Sequence, residues 1–191
     1  MMHTVAPKRL APVQATMETL MKSPQGAVRS TARFFRDDQG RTRIEHGDLA
    51  AVNDPVGGRS FLLNLPNKIA IPRAPAPPEL AGIPGAPALA APSEVRMPEM
   101  KETADLGERV VEGVRAYGKR YALPAPGKPE PPTAEIWTSR ELQLPVHSSI
   151  TDPSTGAITT TVMKNIVAGA KLDPALFDIP KDFKAQPPLK S

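Results

Sequence analysis

The chain has 191 residues, of which 40% are hydrophobic, only 4% are aromatic and 24 are proline. Domains hold roughly 100 to 200 residues, so this length predicts one domain with extended segments attached to it. The chain contains no cysteine and only 3 histidines. Disulfide frameworks and thiol chemistry are therefore excluded, and few histidine or cysteine ligands are present for a metal site.

Charge and hydropathy place weak limits on location and partners. The net charge of +4 favours loose attraction to an acidic protein, an anionic lipid or a nucleic acid without specifying which. No apolar run reaches the roughly 18 residues that cross a bilayer. The first residues lack the basic-then-apolar order of an export signal. We therefore expect a soluble or peripheral chain, whose export signal, if it has one, precedes the residues shown.

A short helix over residues 13 to 22 is the first predicted element. Val13, Met17, Leu20 and Met21 have spacings that place them on one helix face, and a proline bounds the segment on each side. A helix this short is not stable alone. The sequence therefore predicts that it packs on the domain or on a partner, rather than lying on a membrane surface.

Strand hairpins follow the predicted helix. From residue 26 onward, apolar positions such as Ala32 and Phe34 alternate with arginines, which is the period of a strand. Asp, Asn and Gly dominate residues 37 to 40 and 53 to 58, where they supply turn chemistry. Successive antiparallel strands are predicted up to the first proline-rich stretch.

Residues 72 to 98 contain 8 prolines and almost no periodicity. Proline fixes φ and removes a hydrogen-bond donor, so this stretch is predicted to run as extended chain. Extended chain loses less entropy on docking than flexible chain does. We therefore expect this stretch to contact a partner, chiefly through Pro75, Pro77, Pro78, Pro84 and Pro87.

Strand-like alternation returns from residue 99, with a second proline loop at residues 124 to 132. About eight strands in successive hairpins, with one weak helix, predict a mainly β fold built as an antiparallel meander. The predicted organisation is an N-terminal extension with a short helix at 1 to 25, first hairpins at 26 to 71, a Pro/Ala-rich segment at 72 to 98, the second half of the same β domain at 99 to 184, and a tail at 185 to 191.

Three stretches carry a resemblance to a known family: "RDDQGRTRIE", "NDPVGGRSFLLNLPNKIA", and the run from "AEIWTSRELQLP" to "LDPALFDIPKDF". They resemble a family of secreted bacterial proteins, seen especially in Acidobacteria-type genomes, for which no activity is established. The resemblance covers residues 26 to 71 and 105 to 184. Its ending is also similar to the periplasmic lipoprotein carriers LolA and LolB. That resemblance implies a curved antiparallel half-barrel sheet around an apolar cavity.

The apolar residues of the predicted strands are expected to fill the curl of this sheet as core, or else to line a lipid-sized cavity. The residues predicted to do so are Phe61, Leu63, Leu65, Ile69, Trp137, Leu142, Leu144, Ile150 and Phe177.

Basic residues gather on the first predicted hairpin, namely Arg29, Arg33, Arg36, Arg41 and Arg43. Acidic residues lie among them, and no aromatic side chains alternate with them as a single-stranded nucleic acid would require. We expect a solvated face of cross-strand pairs, with an acidic protein partner as the next interpretation, and a nucleic acid is not favoured.

Catalytic residues are not predicted. Asp54 and Asp152 both precede a proline in a turn, where a structural role is the ordinary one. No phosphate loop or nucleophile elbow is present, and no cofactor is expected. The sequence therefore predicts a non-catalytic binding or structural subunit of the periplasm or cell envelope, with proteins of a membrane-associated complex as partners. The alternatives are a carrier or sensor of lipid or acylated ligand and, third, a hydrolase.

Overall fold

The computed structural model describes residues 9–73, 100–127 and 129–187. The five prolines predicted to contact a partner lie outside these residues. The described chain is mainly strand, with a single turn of 3-10 helix. The strands are β1 (Val13–Ser23), β2 (Gly26–Arg36), β3 (Thr42–His46), β4 (Leu49–Asp54), β5 (Arg59–Asn64), β6 (Ile69–Arg73), β7 (Lys101–Val111), β8 (Val114–Ala122), β9 (Thr133–Ser139), β10 (Leu144–Asp152), β11 (Ala157–Ala168) and β12 (Lys184–Ala185), and the 3-10 helix is Pro174–Phe177.

The predicted N-terminal helix is wrong, because residues 13 to 23 form strand β1. Apolar spacings of three and four residues fit a helix, but Val13, Ala15 and Met17 also alternate, and these three are the buried ones. β1 is hydrogen-bonded along its length to β2 on one side and to β11 on the other. Tertiary pairing on both edges therefore outweighs a weak local preference.

The strands form one sheet in the order β12-β6-β5-β4-β3-β2-β1-β11-β10-β9-β8-β7. Strands β1 to β6 make one antiparallel meander, and β7 to β11 make a second. The pairing of β1 with β11 joins the two meanders, and the short β12 adds to β6 in parallel. The predicted antiparallel sheet is thus confirmed, with more strands than expected because several are only about five residues long.

Two hydrophobic clusters lie on opposite faces of the first meander. Phe34 and Phe35 are neighbours on β2, so their side chains point to opposite faces, and both are buried. Phe34 belongs to a cluster that also contains Val111 and Ala116, from strands at the far end of the sheet. The face bearing Phe34 is therefore the concave face, onto which the sheet curls.

The second cluster covers the convex face of β2 to β6. Phe35 packs there with Val52 and Phe61, which follow one another across the strands in register. Residues 172 to 183 lie over this face, and Phe177 from the 3-10 helix is fully buried in it. A segment distant in sequence thus removes this apolar surface from water.

Candidate binding site on the concave face

One half of the concave face, formed with the second meander, is filled by its own side chains. Leu144, Val146 and Met163 are each no more than 1% exposed. The indole of Trp137 lies flat against Gly118, since a Cβ atom at Gly118 would stand 2.7 Å from its ring atoms. The guanidinium carbon of Arg109 lies 3.8 Å from the centre of the Trp137 ring. This half is packed as a core.

A row of hydroxyl groups crosses the concave face beside that core. Ser30, Thr19, Thr161 and Ser148 are consecutive partners across β2, β1, β11 and β10. Thr19 and Thr161 join their hydroxyl oxygens at 3.1 Å. Thr161 and Ser148 are almost fully buried. The interior therefore contains built-in hydrogen-bonding groups between apolar rows.

The other half of the concave face carries an apolar stripe that is only half-buried. Ile44, Ala51, Leu62 and Ile71 are partners across β3, β4, β5 and β6, and they continue the row that begins at Phe34. Each of the four is intermediate in exposure, whereas Phe34 is 2% exposed. We call these four residues the concave stripe.

A pocket of about 410 Å³ opens where the β7–β8 hairpin approaches the end of β11. Val110, Val114, Leu142 and Ile166 supply its apolar wall. Arg115 and Glu141 also line it, together with Gly113 and Ala168. It therefore combines apolar surface with two opposite charges.

The nine predicted apolar residues do not share one interior. Trp137, Leu142 and Leu144 lie in the cluster on the concave face. Phe61, Leu63 and Phe177 are buried on the convex side, with Leu65 packed against them. Ile69 and Ile150 are partly exposed. The residues of the concave stripe were missed. The available signal was the position of Leu62 between Phe61 and Leu63, which turns its side chain to the other face of β5.

The five predicted basic residues occupy different environments. Arg36 is 4% exposed, and its guanidinium donates to the carbonyl oxygens of Ala11, Leu142 and Gln143. Arg43 is also buried and binds Glu45. The other two pairs are Arg41 with Asp37 at 2.6 Å and Arg33 with Glu45 at 3.2 Å. Arg29 is exposed.

The two Asp-Pro turns use their carboxylates in local hydrogen bonds. Asp54 accepts from the Gly57 amide at 2.8 Å and from Arg59 at 3.1 Å. Asp152 accepts from the amide and the hydroxyl of Ser154. These bonds hold the turns, as the sequence predicts. Among the described residues, no three His, Asp or Glu side chains are grouped so that they could hold a metal ion.

Two buried ring nitrogens lie in the side chains of the neighbouring residues His147 and Trp137. His147 and Trp137 are partners across β10 and β9, and within the described part of the chain neither His147 Nδ1 nor Trp137 Nε1 has a hydrogen-bond partner. Burial lowers the pKa of His147, the charge of Arg109 lowers it further, and Glu135 opposes both. His147 is therefore held neutral inside the packed half of the sheet.

No protein-family model and no curated protein matches the sequence. Solved structures do share its fold. An uncharacterized conserved protein from Thermus thermophilus superposes with a TM-score of 0.57 at 13% identity, over 92% of this chain and 90% of that one. The Pseudomonas aeruginosa MucA/MucB complex superposes with a TM-score of 0.52 at 16% identity, over 93% of this chain and 58% of that one.

PNGF-II gives a TM-score of 0.54 at 10% identity, over 93% of this chain but only 31% of that one. At such identities the likeness shows a shared fold alone. The chain therefore shares an antiparallel-sheet fold with these structures. Mycobacterium tuberculosis lipoprotein LppX gives a TM-score of only 0.39 at 12% identity, over 84% of this chain and 88% of that one. Among the described residues, no helix is long and apolar enough to cross a membrane.

Proposed function

We propose that this chain is a non-catalytic binding protein of the bacterial cell envelope, which holds a segment of another protein against the concave stripe. The observation that carries the proposal is the contrast between the two halves of the concave face. One half is filled by Leu144, Val146 and Met163, whereas Ile44, Leu62 and Ile71 stay half-buried in the other. Contiguous apolar surface that stays accessible to water can serve as an interaction surface.

A protein segment fits this surface better than a lipid does. The packed half is filled by Leu144, Val146 and Met163, and the pocket of about 410 Å³ lies at the end of β11 and not along the concave stripe, where a carrier would enclose its ligand. The stripe crosses four neighbouring strands, so an extended or helical segment could contact it along its length. The similar MucA/MucB structure is itself a complex of two proteins, which supports a protein partner.

The non-catalytic part of the proposal rests on how the carboxylates are used. The carboxylates of Asp54 and Asp152 accept hydrogen bonds from turn amides, and Arg41 forms an ion pair with Asp37. Catalysis by general acid and base needs two groups with separated pKa values in one cleft. The envelope location follows from the resemblance of the closing motif to the LolA-type carriers.

Carriage of an acylated ligand is a second candidate, favoured by the pocket of about 410 Å³. Val110, Val114 and Ile166 would contact an acyl chain, and Arg115 would face its polar end. In this case the ligand would enter between the β7–β8 hairpin and the end of β11, not at the concave stripe. The two functions therefore predict different contact residues.

Site-specific photo-crosslinking distinguishes the candidates. A benzophenone side chain replaces Leu62 in the concave stripe or, as the matched control, Val56, which is 72% exposed in the β4–β5 turn. Both full-length variants are expressed in cells that make the protein naturally and are irradiated. We expect a discrete protein adduct at position 62 and none at position 56.

Two results would contradict the proposed protein partner. One is the same adduct pattern at positions 62 and 56, which would mean that the stripe has no selectivity. The other is a lipid adduct with the crosslinker in place of Val114 and no protein adduct at position 62, which would favour carriage.

A further inference from the structure

The ends of two neighbouring hairpins form an exposed apolar surface at one end of the sheet. Strands β1 and β2 turn at residues 24 and 25, and β10 and β11 turn at residues 153 to 156. A Cβ atom on Gly156 would lie 3.5 Å from Pro24 Cγ, so the two turns are in contact distance. We call the exposed residues behind them the hairpin tip, which consists of Met21, Lys22, Val28, Arg29 and Ile158.

The hairpin tip is apolar on both faces of the sheet. Met21 is 50% exposed, Val28 is 68% exposed and Ile158 is 39% exposed. Met21 and Val28 are cross-strand partners and share one face, whereas Ile158 is the partner of Lys22 and lies on the other. A protein partner would cover one face of the sheet, whereas a lipid layer into which the tip inserts would contact both faces.

The charges of the hairpin tip complement an anionic surface. Lys22 and Arg29 are exposed and form no ion pair with any described residue, whereas Arg33, Arg41 and Lys164 are each paired with a carboxylate. The turn residues between the strands, Pro-Gln and Pro-Ser-Thr-Gly, carry no charge. The Asp152 carboxylate beside the second turn is hydrogen-bonded to the amide and hydroxyl of Ser154. Lys22 and Arg29 have long stems that can reach lipid phosphates.

We propose that the hairpin tip inserts into the surface of an anionic lipid bilayer. Met21, Val28 and Ile158 enter the boundary between headgroups and acyl chains, while Lys22 and Arg29 contact headgroup phosphates. This inference does not depend on what the concave stripe binds. It places the tip end of the sheet at the membrane.

The absence of native cysteine permits a clean test with single labels. Val28→Cys in the hairpin tip and Val56→Cys in the β4–β5 turn each receive an environment-sensitive fluorophore on the full chain. The turn is a matched control, because Asn53 of β4 aligns through Thr42 with Arg36, at the opposite end of β2 from the tip. The probes are vesicles of phosphatidylcholine with or without phosphatidylglycerol.

We expect a blue shift of the emission at position 28 with phosphatidylglycerol vesicles and none at position 56. Lys22→Gln with Arg29→Gln in the labelled Val28→Cys chain should weaken vesicle binding by about 25-fold, since each cation near an anionic surface contributes about fivefold. The proposal is overturned by equal shifts at both positions, by no shift with either vesicle, or by unchanged binding of the charge variant. Circular dichroism of each labelled chain verifies that it is folded.

Discussion

Aspartates hold the chain at its turns. Asp37, Asp54, Asp152 and Asp173 each accept a backbone N–H from a residue two to four positions further along the chain. Asp173 does so at the start of the 3-10 helix, where it caps the first turn. A short acidic side chain can satisfy amides that no strand partner reaches. Asp37, Asp54 and Asp152 therefore help to set where β2, β4 and β10 end.

Asp54 should contribute measurably to stability. Its Oδ1 accepts from Gly57 and its Oδ2 accepts from Arg59, and its side chain is 6% exposed. We expect Asp54→Ala to lower the free energy of unfolding by about 1 to 3 kcal/mol, because it leaves a turn amide without its partner. Urea denaturation measures this loss. Asp48→Ala, in an exposed turn, is the control, and an equal loss there would contradict the role given to Asp54.

The same carboxylate should make stability depend on acid. Burial raises the pKa of Asp54, but the hydrogen bonds from Gly57 and Arg59 outweigh burial and hold the pKa below its ordinary value. Its contribution is therefore present above the unfolded pKa of about 3.9 and is lost as the pH falls through the lower folded pKa. Asp54→Asn should flatten this part of the profile of unfolding free energy against pH. An unchanged profile would contradict the assignment.

At the scale of elements, the two meanders meet along β1. Its partners on one side belong to the first meander, and its partners on the other side belong to the second. Arg36, at the end of β2, reinforces this junction from the side by binding the chain before β1 and the β9–β10 turn. One buried guanidinium thus connects segments that are about a hundred residues apart in the sequence.

Loss of Arg36 should destabilise the junction. Arg36→Met keeps much of the side-chain volume but leaves the carbonyl oxygens of Ala11, Leu142 and Gln143 without their donor. We expect a loss of about 3 to 5 kcal/mol, measured by urea denaturation. The control is Arg33→Met, whose side chain is 66% exposed and paired with Glu45, with an expected cost below about 1 kcal/mol. Similar costs for both variants would show that Arg36 is not a structural link.

At the scale of the whole molecule, the C-terminal residues decide which face of the first meander stays open. Leu172, Leu176, Phe177 and Phe183 cover the convex face, and β12 then pairs with β6. The ion pair of Lys68 with Asp182, at 2.8 Å, lies at the same edge. With the convex face covered in this way, the concave stripe remains the half-buried apolar surface of this meander.

Phe177 should contribute most of the stability that comes from covering the convex face. It is fully buried, so Phe177→Ala removes its burial and leaves a cavity, at a cost of about 3 to 5 kcal/mol. Ile179→Ala, two residues further on and 36% exposed, should cost less than about 1 kcal/mol. Denaturation midpoints of the two variants measure the difference. Equal midpoints would mean that the C-terminal residues do not seal the convex face.

Local chemistry made the hairpins predictable from the sequence. Asp, Asn, Pro and Gly at residues 37 to 40, 53 to 58 and 152 to 156 encode turns by their own hydrogen bonds and backbone preferences. Alternating apolar residues between them encode strands. The antiparallel sheet and the structural role of Asp54 and Asp152 both follow from such neighbours in sequence.

Tertiary structure decided what pairs and which face is covered. The spacing of Val13, Met17 and Leu20 fits a helix, whereas that of Val13, Ala15 and Met17 fits a strand. Pairing with β2 and β11 makes β1 a strand. Alternation shows that Phe61 and Leu62 face opposite ways, but not which face is concave. That choice depends on residues far away in the sequence, because Val111 and Ala116 pack with Phe34 on the concave side and Phe177 covers the convex side.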